Sequence, residues 1–82
     1  MRQVFKIPLV MTPQPEGGFT VTSPVLPELL TEGDSLEEAL ANVHDALRAT
    51  MEIYEDLGKS FPLNLKQDTG MDPIWFEYLI AS

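Results

Sequence analysis

With 82 residues and a net charge of −8, the chain has room for one domain, spanning 1–82. A chain of this length buries only about 60–65% of its unfolded surface, which leaves self-association as the remaining source of extra stability. The sequence has no cysteine, which excludes disulfides, thiolate nucleophiles and cysteine-based zinc sites and fits a reducing compartment; the expected location is the cytoplasm.

The N-terminus carries Arg2 and Lys6 but no apolar run long enough for a signal core or a membrane span. Residues 2–11, RQVFKIPLVM, place Phe5, Ile7, Leu9 and Met11 on one side and Val4, Lys6 and Val10 on the other, which predicts a strand. Pro8 has no backbone donor, so this strand is expected at an edge, or with a bulge there. TPQPEGG (12–18) reads as a turn, with Gly17 and Gly18 free to take positive φ. FTVTS (19–23) alternates again, Phe19 and Val21 facing in and Thr20 and Thr22 facing out, so the two runs form an antiparallel hairpin. Pro24 and Pro27 cannot donate to a ladder, and the segment between them is expected to leave the hairpin for a new position. ELLTE (28–32) has room for a short third strand, closed by Gly33, which tolerates a backbone conformation denied to other residues.

A helix begins next. Ser35 is the N-cap and Glu38 completes a capping box, with Asp34, Glu37 and Glu38 at the positive end of the helix dipole. Leu36, Leu40, Val43, Leu47, Met51 and Tyr54 recur at a 3.6-residue period, widened by Ala39, Ala46, Thr50, Ile53 and Leu57. Gly58 is a natural stop, giving a helix of about 22 residues and on the order of 33 Å. Between Glu28 and Asp56 stand nine acids against the single base Arg48, so this span carries the whole net charge. Nucleic acid is not expected as a direct partner, because affinity for phosphates comes from lysine and arginine. The acids are read either as a solvated face that keeps the protein soluble or as a surface that steers toward a basic protein.

Residues 59–73 read as a linker. In 74–81 Ile74, Phe76, Tyr78 and Ile80 alternate with Trp75, Glu77, Leu79 and Ala81, the pattern of a strand buried on both faces. One helix covers one face of a sheet, so the other face calls for a second subunit. A homodimer or higher homo-oligomer is expected, with Trp75, Phe76, Tyr78 and Leu79 at its interface. The alternative reading is an exposed tail.

Chemistry is sparse. A metal-dependent nuclease of the RNase H type needs a carboxylate from its first strand, and RQVFKIPLVM has no acid. His44 lies at the boundary of the apolar stripe and reads as a packing or surface residue. Gly17-Gly18 lacks the lysine and hydroxyl pattern of a phosphate loop. No catalytic residue, metal ligand or cofactor is expected.

The stretch from Glu16 to Leu47 resembles the HicB-like antitoxin family. The resemblance rests on Gly18-Phe19-Thr20-Val21, on Pro24-Val25-Leu26-Pro27, on Thr31-Glu32-Gly33-Asp34-Ser35, and on Glu37-Glu38-Ala39 with Asn42, Ala46 and Leu47. Pro8 also matches, and the similarity covers about residues 3–58. Val25 and Glu28 depart from the pattern, standing where the family usually has aspartate and glycine. The resemblance implies an α+β domain of ββ(β)αβ order. Its small antiparallel sheet would have three or four strands, with one long helix on one face, a partial RNase H-like fold. It also implies neutralisation of a small basic mRNA-cleaving toxin of the HicA type. Many members carry a DNA-binding module after this domain; the residues beyond 58 hold no DNA-reading helix by this reading.

Three readings stay open: a non-enzymatic antitoxin-like binding protein, a stand-alone oligomeric scaffold or small-molecule sensor, and a degenerate nuclease. For the first, Glu32, Glu37, Asp45 and Glu52 are the candidate partner-facing residues.

Overall fold

The computed structural model describes residues 4–61, 66–67 and 73–81. The first predicted strand forms in two pieces, β1 (Val4–Phe5) and β2 (Val10–Pro13). The donor-less Pro8 falls in the gap between them, as the ladder rule requires. β1 pairs antiparallel with β5 (Lys66–Gln67), a strand inside the segment read as a linker. A two-residue bridge carries no periodicity, so nothing in the sequence announced it. Residues 62–65 and 68–72 of that segment lie outside the described residues.

β2, β3 (Phe19–Thr22) and β4 (Leu30–Gly33) form an antiparallel three-stranded sheet in that order. Gly17 and Gly18 take φ of 105° and 79° in the hairpin turn, which Gln14 closes: its N–H donates to the Gly18 carbonyl and its carbonyl accepts from the Gly17 N–H, both at 3.0 Å. Met11, Val21 and Thr31 share one face, and Val21 is fully buried. Val10, Thr22 and Leu30 share the other, as do Thr12, Thr20 and Glu32. This far face is threonine-rich, as befits an antiparallel sheet with one side in water.

The helix α1 (Leu36–Asp56) has 21 residues. The Ser35 hydroxyl accepts the Glu38 N–H at 3.1 Å, a cap that contributes about 1 kcal/mol. The Glu38 carboxylate reaches back to the Asp34 N–H at 3.3 Å, one residue beyond the usual capping box. At the other end Gly58, with φ 67°, donates to the Glu55 carbonyl and Lys59 donates to Tyr54, which is the Schellman pattern.

One face of α1 buries against two clusters. Its N-terminal half sits on the sheet, where Ala39 and Val43 meet Val21, with Met11 and Phe19 alongside. Its C-terminal half sits on the connection from Pro24 to Leu29, where Tyr54 meets Leu26 and Leu29. Leu47 touches both. Phe61 joins the second cluster edge-on to Phe5 and to Tyr54, at centroid distances of 5.0 and 5.4 Å. The stripe therefore centres on Ala39, Val43, Thr50 and Tyr54, while Met51, Ile53 and Leu57 stay exposed. A four-residue sheet is too short to cover every apolar position of a helix this long.

The structure corrects two expectations. Gly33 has no positive φ; its requirement is space. A Cβ there would come within 2.7 Å of the Ala39 Cα, so the missing side chain lets β4 lie directly against the first turn of the helix. Residues 73–81 form no strand. Alternation of apolar groups shows only that both sides would gain from burial, and a strand also needs a neighbouring edge to pair with. The α+β class and the ββ(β)α order are as expected.

Candidate protein-binding surface

The capped start of α1 and its apolar face fix which residues look outward. At roughly 100° per residue, Glu37, Asp45, Glu52 and Glu55 fall within an arc of about 80°, on the side opposite Ala39, Val43, Thr50 and Tyr54. All four acids are exposed. Glu38 and Asp56 flank the arc, and Arg48 and His44 lie in it or at its border, also exposed. Three of the four candidate residues thus share one surface. Glu32 does not, because it pairs with Thr20 on the face of the sheet turned away from the helix.

Several polar residues hold this surface in place, and their roles were not legible in the sequence. The Asn42 amide donates to the Glu32 carbonyl at 2.7 Å, tying β4 to the helix. The buried Thr50 hydroxyl donates to the Ala46 carbonyl at 2.8 Å, so it is satisfied within its own helix. The Tyr54 phenol donates to the Glu28 carboxylate, 3.2 Å from Oε2. Desolvation first, then the hydrogen bond and charge of Glu28, push the Tyr54 phenol above its ordinary value of 10.0. The only sequence signal for this pair was that Glu28 replaces a glycine common in the resembled family; the two residues are 26 apart.

The other motif residues act as joints. Pro24 and Pro27 are exposed on the connection that drives Leu26 and Leu29 inward. Among the described residues, no three of His, Asp and Glu gather closely enough to hold a metal ion, and no helix is long and apolar enough to cross a membrane. What this surface offers is a field: a band of carboxylates on a stiff rod, open to solvent.

No family model matches the chain. Known proteins do. A UPF0150 protein of Thermoplasma acidophilum is 32% identical over 57 residues, which span 70% of this chain and 83% of the relative. The chain belongs to the HicB-like (UPF0150) family. Antitoxin HicB 1 of Photorhabdus laumondii is 41% identical over 58 residues, and Antitoxin HicB of Escherichia coli is 36% identical over 58. These matches cover 71% of this chain but only 37% and 42% of the two antitoxins. The chain thus spans about two fifths of the HicB antitoxins it matches, and corresponds more nearly in length to the archaeal relative. The HicB-like pattern quoted from Gly18 to Leu47 coincides with the sheet, the crossing at Gly33 and the capped start of the helix.

Proposed function

We propose that this chain binds and neutralises a small basic mRNA-cleaving toxin of the HicA type, acting in the cytoplasm as a blocking module without chemistry of its own. The observation that carries this reading is the placement of charge. The whole net charge lies between residues 28 and 56, and the helical acids gather on the arc opposite the core. An RNA-cleaving protein must present lysine and arginine to its substrate, so a rigid acidic band competes for the same surface. Such a band raises association rate and specificity more than affinity. Glu37, Asp45 and Glu52 are the contact residues in this reading, and Glu32 lies outside the contact.

The test pairs the full chain with a small basic RNase of the HicA type. RNase activity of that protein should fall on stoichiometric addition of the chain. The triple reversal Glu37→Lys, Asp45→Lys, Glu52→Lys should slow association at least about tenfold at low salt while the circular dichroism of the helix is unchanged. Inhibition that survives the reversal and ignores salt would overturn the reading.

A further inference from the structure

Residues 73–81 are the least explained part of the molecule. Trp75, Phe76, Tyr78 and Ile80 are 81%, 72%, 77% and 81% exposed, and Glu77 is the segment's single charged residue. The segment grazes two apolar shelves of its own chain. Ile74 and Phe76 border a groove with Phe5, Lys6 and Ile7, and Tyr78, Leu79 and Ile80 border another with Leu36, Glu37 and Leu40. Neither groove absorbs the large side chains.

We propose that two copies of this chain exchange these segments, each laying residues 73–81 across the Phe5–Ile7 and Leu36–Leu40 shelves of the other. Three observations favour a second copy over another occupant. The segment and the shelves belong to the same chain, so one two-fold axis satisfies both at once. The area suffices: three aromatics bury on the order of 500 Å² per arm. Two arms with their isoleucines and leucines then exceed the ~1,200 Å² at which stable interfaces begin. Charge also permits it. Leu36 lies at the same helical angle as Tyr54 and Leu40 about 40° beyond it, away from Asp45 and Glu52, so of the acidic arc only Glu37 meets the exchanged arm. A basic partner would be drawn to that acidic arc rather than to an arm with one acid.

The test is sedimentation of the full chain across a dilution series, read beside the emission of Trp75, the only tryptophan. A dimer is expected at high concentration, with Trp75 emission moving to the red as it dissociates. The double variant Trp75→Ser, Ile80→Ser should weaken dimerisation at least about hundredfold while helix circular dichroism is retained. If that variant does not fold, the dilution series on the unaltered chain decides. A monomer at every concentration, with Trp75 in water throughout, overturns the proposal, as does a dimer unaffected by the double variant. So does a monomer whose Trp75 is shielded only when the basic partner is added, which would assign the arm to that partner. The double reversal Asp45→Lys, Glu52→Lys leaves the Glu37-lined groove intact and tests the antitoxin reading apart from the arm, so failure here and failure of the antitoxin reading are distinguishable.

Discussion

Leu26 and Trp75 each follow a proline by two residues, and each is large and apolar. Leu26 is fully buried, and Trp75 is 81% exposed. The segment around Leu26 has local partners: the Val25 N–H donates to the Ser23 hydroxyl at 3.3 Å, and the Leu29 N–H to the Leu26 carbonyl at 3.0 Å. With the backbone satisfied, two leucines can turn under the C-terminal half of the helix. Residues 73–81 join no ladder. Apolar content creates the demand for burial, and backbone pairing decides whether a single chain can meet it.

The sharpest way to break this comparison is to truncate one residue from each region. Leu26→Ala should cost about 3 kcal/mol, a large part of the ~5 kcal/mol that holds a domain of this size. Trp75→Ala removes a bulkier group, yet should change unfolding of the dilute monomer by less than about 0.5 kcal/mol. Urea unfolding at low protein concentration reads both. Equal losses would mean that the arm belongs to the core after all.

A smaller effect sharpens the same contrast within the body. Gly33→Ala should destabilise by roughly 2 kcal/mol, because the added methyl meets helix backbone, which cannot rotate away as a side chain would. A change below about 0.5 kcal/mol in the same urea experiment would show that β4 and α1 are free to part, contrary to the close packing described.

How far the sequence could be read follows the range of each signal. The hairpin, the Ser35 cap and the Gly58 stop were legible because a strand period, a capping hydroxyl and a positive-φ glycine act within a few residues. The outward arc of Glu37, Asp45 and Glu52 was legible because helical periodicity is itself a statement about direction. Glu32 stands on the sheet face turned away from the helix, a direction that charge along a sequence does not specify. The Glu28–Tyr54 pair, the Asn42 tie and β5 depend on contacts between distant segments, and no local pattern encodes them. The strand expected at 74–81 shows the limit from the other side. Its alternation is present, but its pairing partner is not something a period can supply.

The smallest expected effect tests whether the Leu26 cluster is as dry as the packing suggests. Burial and the neighbouring Glu28 carboxylate hold the Tyr54 phenol in its protonated form above the usual range. In the unfolded chain the same phenol releases its proton near 10. The stability from this mismatch is therefore complete below about pH 10 and fades as pH rises through the folded-state value, because only the unfolded chain gains by ionising. Between roughly pH 9 and pH 11 the unaltered protein should lose more unfolding free energy than Tyr54→Phe, which has no proton to lose. Glu28→Gln, keeping burial but removing the charge, should fall between them. Taking differences against Tyr54→Phe removes the background of lysines that titrate in the same window. Parallel curves for all three proteins would mean that water reaches the phenol, and that the C-terminal half of the helix is held less tightly than the half resting on the sheet.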